Sequence, residues 1–263
     1  MSCNNLYQVP TLGKRLYSVW FRHIRVYCSN FFSNAFPPFF EPLIFLAGLG
    51  VGLGAYIQNM GNVNYVLFLA SGLIVTSAMF TASFECTYGT FIRLEFDYIY
   101  DGMLGAPVSA GDLVVGELLF VATKGFFFSF AVLTVTWIAG IIRYPLSFLA
   151  PLVGFLTGLT FGSLALLVTS KINNINHFNF YFTGLISPSF FFSGVVFPLE
   201  NLSPALRWVA ELIPLTHVVR LARAVCLPNQ LRMSLFLDFL YLVLFIGGIG
   251  FLAIRGLRKR LIQ

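Results

Sequence analysis

The chain has 263 residues, 58% of them hydrophobic and only 10% charged, with mean hydropathy +0.84 and a formal net charge of +6. Soluble domains carry about a quarter charged residues, so the composition excludes a soluble fold and points to a single membrane domain. No basic stripe interleaved with aromatics lies outside the apolar runs. Nucleic acid is therefore not expected as a partner, and the positive charge suits cationic flanks at an inner membrane.

Residues 1–30 contain no apolar core long enough for a secretory signal, and Lys14, Arg15, Arg22 and Arg25 interrupt them. Within 11–30, Leu12, Leu16, Val19, Trp20, Ile24 and Tyr27 recur at helical spacing, with Arg15, Arg22 and Arg25 opposite. That pattern predicts an interface helix, its cations toward lipid phosphates and Trp20 as an anchor. The alternative is a solvated cytoplasmic helix.

A bilayer core about 30 Å thick needs roughly 20 apolar residues in a helix. The first such run is 36–57, entered through Pro37, Pro38 and Pro42, and the second is 65–84. A polar stretch from Glu85 to Glu117 follows, and the remaining spans are expected at 118–141, 147–169, 176–197 and 234–254, leaving a tail at 255–263. The expected fold is all-α, with six transmembrane helices in one domain over 1–263. With the N-terminus inside, the inner flanks hold Lys14, Arg15, Arg22, Arg25, Arg93, Lys171, Arg255, Arg258, Lys259 and Arg260. The outer flanks hold Arg143, Arg207, Arg220, Arg223 and Arg232. The cytoplasmic excess predicts both termini inside.

Small residues recur in GLGVGLG at 48–54 and at Gly154, Gly158 and Gly162. Such rows let helix backbones approach closely, either within one chain or between subunits. Four cysteines (Cys3, Cys28, Cys86, Cys226) and three histidines (His23, His177, His217) are scattered without ligand spacing, so no metal or redox site is expected. No GxxxxGK[ST] phosphate loop, GxSxG elbow or HExxH occurs. If transport here consumes ATP, another polypeptide hydrolyses it.

The stretch 97–117, DYIYDGMLGAPVSAGDLVVGE, is too polar to cross a membrane, yet has a short helical pattern ended by Gly105 and Pro107. Asp101 with Met103 and Leu104 could press into a cytoplasmic partner's cleft, charge setting register and apolar groups supplying area. A solvated loop is the alternative. From 187 onward, Pro188, Pro198, Pro204 and Pro214 punctuate pieces too short to span, which predicts half-helices dipping from the outer face. There Arg207 and Glu211 stand one turn apart as a possible ion pair, while His217, Arg220 and Arg223 face lipid headgroups or an anionic substrate. Phe190, Phe191 and Phe192 belong to a dense aromatic group that either stacks on sugar rings and acyl chains or fills the core. Among charges in or beside spans, Glu41 and Asp238 are expected near span ends within reach of water, and Glu117 and Lys124 share a face of the third span. They are too few for a proton relay.

The blocks FLAGLGVGLG (45–54), LASGLIVTSAMFTASFECTYGTFIRLE (69–95), DGMLGAPVSAGDLVVGE (101–117) and FFFSGVVFPLENLSPALRWVAELIPLTHVVRLAR (190–223) resemble the type-2 ABC exporter permeases. Within these, the chain looks like the NodJ-like permeases that export lipo-oligosaccharide nodulation factors. The resemblance implies an N-terminal interface helix, six spans, a cytoplasmic coupling helix and two short helices re-entering from outside before the last span. It also implies a dimer of permeases, homodimer or heterodimer, in the bacterial inner membrane, in contact with membrane lipids and bound to two copies of a NodI-like ABC ATPase that carries the ATP and Mg. By the same resemblance, Asp101, Gly102, Met103 and Leu104 match the coupling motif, and Asp112 and Glu117 the acidic positions after it. The family's aromatic-lined lateral route falls on spans one, two and five. From the residues themselves, Phe190, Phe191 and Phe192 of span five, with Arg220 and Arg223 in the segment after it, form the candidate substrate path. The permease itself is then no enzyme. A drug or lipid exporter of the same architecture is the runner-up. A membrane-embedded transferase would need a clustered His/Asp/Glu set, and an ion-coupled carrier would need polar spans.

Overall fold

The computed structural model describes residues 10–57, 59–60, 63–230 and 233–261. Cys3 and the outer-flank Arg232 lie outside them. The chain forms α1 (Leu12–Ser29), α2 (Phe31–Gly52) and a small antiparallel pair, β1 (Asn59–Met60) with β2 (Val63–Asn64). Next come α3 (Tyr65–Glu95), α4 (Ile99–Leu104), α5 (Ala110–Ile138) and α6 (Pro145–Thr169). The last elements are α7 (residues 175–192), α8 (Pro204–Leu212), α9 (Pro214–Cys226) and α10 (Ser234–Leu261). Four of these helices, α3, α5, α6 and α10, are long and apolar enough to cross a membrane.

α3 is the central helix. Nearly all its residues from Phe68 to Ser83 are buried, because α2, α5, α6 and α9 all pack on it. It starts where the Asn64 side chain accepts a hydrogen bond from the Val66 amide at 2.9 Å, satisfying one orphan donor of the first turn. α5 and α6 form the tightest pair. A Cβ on Gly158 would lie 2.8 Å from the Ala122 backbone, and one on Gly125 would lie 2.5 Å from the Gly154 carbonyl oxygen. The Gly154/Gly158/Gly162 row therefore serves packing within the chain, whereas Gly48 and Gly52 of the first row face open space. α1 lies across α5 with Val19 seated over Gly116, where a Cβ would meet Val19 at 2.6 Å.

Several expected boundaries move. α3 continues as helix to Glu95 and α5 begins at Ala110, so most of the polar stretch 85–117 is helical. A capping box starts α5: Ser109 and Asp112 bond reciprocally to each other's backbone amides. Pro37, Pro38 and Pro42 lie inside α2 and do not precede it. α7 stops at Phe192, and Gly194, with φ +84°, turns the chain away. Residues 255–261 continue α10 in place of a separate tail. Pro214 ends α8 by forcing Ile213 out of the helical region and opens α9 at its first position.

Ion pairs gather both described ends of the chain on one face. Arg15 near the start of α1 binds Asp112 at 2.9 Å. Arg260 near the end of α10 binds Glu95 at 2.8 Å and donates to the backbone carbonyls of Thr169 and Ile172. The starts of α1 and α5 and the ends of α3, α6 and α10 thus meet beside α4.

Candidate functional site

Beneath α4 lies a cluster of four charges. Glu85 closes the α-helical part of α3 and opens a π-turn, Glu85–Gly89, after which α3 resumes. In a regular helix, residues eight apart diverge by about 80°, since 3.6 residues make a turn. The π-turn absorbs one residue, so Glu85 and Arg93 share a face as positions seven apart would. Arg93 donates to Glu85 Oε1 at 2.6 Å and to Glu117 Oε1 at 2.5 Å, and Lys124 donates to Glu85 Oε2 at 2.7 Å. Two carboxylates and two cations sum to zero. That balance lets Glu117 be wholly excluded from solvent on a membrane helix. Gly89 leaves the space: a Cβ there would sit 3.0 Å from Glu85 Oε1 and 3.4 Å from the Arg93 guanidinium.

The cluster is completed from outside by α4. Tyr100, buried to 1% exposure, donates to the Glu117 carboxylate at 2.8 Å and accepts from Arg93 Nε at 3.2 Å. Burial and the neighbouring Glu117 charge push the phenol well above its ordinary range, so it stays a donor. Thr90 adds a bond to Glu117 Oε1 at 2.6 Å. While Tyr100 points inward, Asp101 and Gly102 on the same short helix are exposed and Met103 and Leu104 half-buried. Exposed Ile92, Phe96 and Tyr98 border the stub. A displacement of α4 would therefore act directly on the α3–α5 charge cluster.

A second cluster sits between α8, α9 and α10. His217 bonds through Nδ1 to Asp238 Oδ1 at 2.6 Å and through Nε2 to the Glu211 backbone carbonyl at 2.9 Å, its ring stacked on Tyr241. Arg220 bridges Glu211 and Asp238, and its hydrogen bonds hold the Glu211 carboxyl below the usual range. Arg223 donates to the Gly194 carbonyl at 2.5 Å and lies over the Phe68 ring, tying α9 to the turn after α7 and to α3.

Residues 14–227 match the family described as ABC-2 type transporter. The chain is 34% identical over 227 residues to Nodulation protein J of Rhizobium meliloti (strain 1021), covering 85% of each chain. Nodulation protein J of Neorhizobium galegae is 36% identical over 224 residues, again 85% of each. Inner membrane transport permease YadH of Escherichia coli (strain K12) is 21% identical over 204 residues, 78% of this chain and 79% of its own. The chain belongs to the ABC-2 type transporter family. It is a NodJ-like permease, a multi-pass membrane transport subunit of an ABC exporter.

In this ABC-2 permease the sequence-derived residues fall into groups. Asp101, Gly102, Met103 and Leu104 sit together on α4. Asp112 and Glu117 do not join them on the surface: Asp112 caps α5 and holds Arg15, and Glu117 lies beneath Tyr100. Both are buried, and each carboxylate accepts from internal donors. On α1, Arg15 turns inward to Asp112 and Trp20 donates to Thr123 Oγ1 at 3.0 Å, while Arg25 stays exposed and Arg22 is half-buried. Phe190 is buried against Phe45 and Phe80, whereas Phe191 and Phe192 are exposed. Arg220 donates to Glu211 and Asp238, and Arg223 to the Gly194 carbonyl. Glu211 pairs with Arg220, in place of the expected Arg207. Asp238, expected near water, is 4% exposed because His217 and Arg220 neutralise it.

Sequence reasoning did not single out Tyr100, Arg93 or Glu85 as a unit. Their partners lie 17, 24 and 39 residues away, and the π-turn hides the Glu85/Arg93 register. The one available signal was the shared face of Glu117 and Lys124, which requires counter-charges from a neighbouring helix.

Proposed function

We propose that this chain is the permease subunit of an ATP-driven exporter moving an amphipathic lipid-linked oligosaccharide, or a molecule of similar character, out of the bacterial cytoplasm across the inner membrane. α2 and α7 complete six spans around α3, α5, α6 and α10, both termini are cytoplasmic, and α1 lies in the membrane interface. Two copies form a homodimer on two NodI-like ATPase subunits, which bind ATP and Mg. The observation that carries this reading is the linkage of an exposed stub to a buried charge cluster. α4 offers Asp101, Met103 and Leu104 outward while its Tyr100 grips Glu117 and Arg93 between two spans. Closure of the ATPase dimer pushes α4, and the push tilts α3 against α5 through that cluster. The similarity to Nodulation protein J supports the glycolipid substrate.

The test is Asp101→Lys with Met103→Asp. The expected result is loss of ATPase co-purification with membrane insertion intact. Undiminished partner binding would sink the coupling assignment. Export of a lipid-linked oligosaccharide by vesicles holding the complex tests the substrate, and transport of phospholipid alone would overturn that part.

A further inference from the structure

A cleft of about 430 Å³ opens between the first half of α2 and the middle of α3, with Lys124 of α5 at its back. Small-ligand sites occupy about 300–1,000 Å³, so the volume suits one headgroup. Phe80 and Phe84 are its apolar walls. Its polar lining comes from Ser33, Asn34 and Glu41 on exposed α2 and from Thr81, Glu85 and Lys124 on the buried side.

Two features mark this cleft as a site. Thr81 is 3% exposed, yet its hydroxyl has no hydrogen-bond partner among the described residues. An unpaired buried hydroxyl costs about 1–3 kcal/mol, which a ligand oxygen would recover. Lys124 spends one of its three N–H donors on Glu85, with the Tyr27 ring 4.5 Å from its ammonium. The charges then select the ligand. Glu85 and Lys124 cancel, and Glu41 has no ion-pair partner among the described residues, so the lining is net negative. A phosphate would be repelled, whereas sugar hydroxyls can donate to Glu41 and Asn34 and accept from Thr81 and Lys124, a ring face resting on Phe80 or Phe84.

We propose that this cleft is a subsite for the uncharged, hydroxyl-rich headgroup of an amphiphile, entering from the leaflet beside α1. The inference rests on the export of an amphipathic glycan and adds where, and by which residues, its headgroup is first held.

The experiment uses the full chain in phosphatidylcholine nanodiscs with Ser33→Cys, native Cys28 on α1 serving as the in-chain reference because it is exposed and does not line the cleft. Alkylation by a maleimide at positions 28 and 33, resolved by peptide mapping, is timed with dodecyl β-glucoside or dodecyl phosphate added below solubilising levels. The glucoside is expected to slow labelling at position 33 about tenfold at ten times its Kd, with Cys28 unaffected and the phosphate inert. Adding Thr81→Val or Glu41→Gln should restore fast labelling, and continued resistance of the buried Cys86 and Cys226 to the maleimide reports that each variant is folded. Protection by the phosphate instead overturns the ligand class. No protection, equal slowing of both thiols, or protection that survives both variants overturns the site. The assay needs no ATPase, so undiminished partner binding by the α4 variant, or absent export by the complex, with protection intact would sink the export reading and leave the subsite standing.

Discussion

Tyr100 and Glu117 join a surface stub to the protein interior: the phenol of one donates to the carboxylate of the other at 2.8 Å, where both are buried. Tyr100→Phe keeps the ring and removes only this link and the bond from Arg93. A hydrogen bond to a charged group contributes about 1.5–3 kcal/mol, so melting should drop by several degrees without loss of assembly. The sharper expectation concerns coupling. ATP hydrolysis by the complex should persist while substrate export per ATP falls, because α4 still docks but no longer moves α3 against α5. Parallel ATPase and vesicle-export measurements read the ratio; an unchanged ratio would remove Tyr100 from the transmission path.

Glu85 and Lys124 meet at 2.7 Å across 39 residues of sequence. Either single neutralisation, Glu85→Gln or Lys124→Met, leaves an unmatched charge in the cluster and should cost about 3–5 kcal/mol. The pair together should cost much less than the sum, because Arg93 and Glu117 remain matched at 2.5 Å. Denaturation of the four proteins in one detergent closes the cycle. Additive losses would mean that the two side chains are energetically independent despite their contact.

This cluster and the one around His217 also show where sequence stops being legible. The apolar runs locate α3, α5, α6 and α10, since the bilayer's thickness sets the length of an apolar span. But α3 runs on to Glu95, α5 starts at Ala110 and α10 continues to Leu261, all beyond the apolar cores. α8 and α9 were readable from Pro204 and Pro214. The charged stretch was not, because the π-turn hides the Glu85/Arg93 register and the counter-charges Glu117 and Lys124 come from another helix, α5. Asp238 was misplaced for the same reason: its partner His217 lies 21 residues earlier, on a different helix. Tyr100 was hidden inside a motif whose outward residues, Asp101 and Met103, drew the functional reading.

The glycines separate into tight and loose positions. Gly158→Ala should destabilise by about 1–3 kcal/mol, since the added methyl would lie 2.8 Å from the Ala122 backbone, which has no flexible end to move. Gly184→Ala and Gly48→Ala meet nothing within 4 Å and should be neutral or slightly stabilising in thermal melts of the detergent-solubilised chain. Equal tolerance at all three would mean that the α5–α6 contact is looser than this geometry.

His23 gives α1 a pH dependence with a defined sign. Its ring is 3% exposed, stacks on Phe120 at 5.1 Å and has Nε2 without a partner among the described residues. Burial lowers its pKa to about 4 from the usual 6.5. The folded protein thus keeps the ring neutral where the unfolded chain already binds a proton. Stability from this residue is complete above pH 6.5, declines as pH falls toward 4, and levels off below. The full span corresponds to about 3 kcal/mol. His23→Phe should flatten that segment of the profile and preserve the aromatic stack, which unfolding midpoints measured from pH 7 to pH 4 will reveal. Every other ionisable group is common to both proteins, so the difference between the two profiles isolates His23. A variant profile parallel to the parent's would show that the imidazole takes up its proton without leaving Phe120, and that α1 stays seated on α5 in acid.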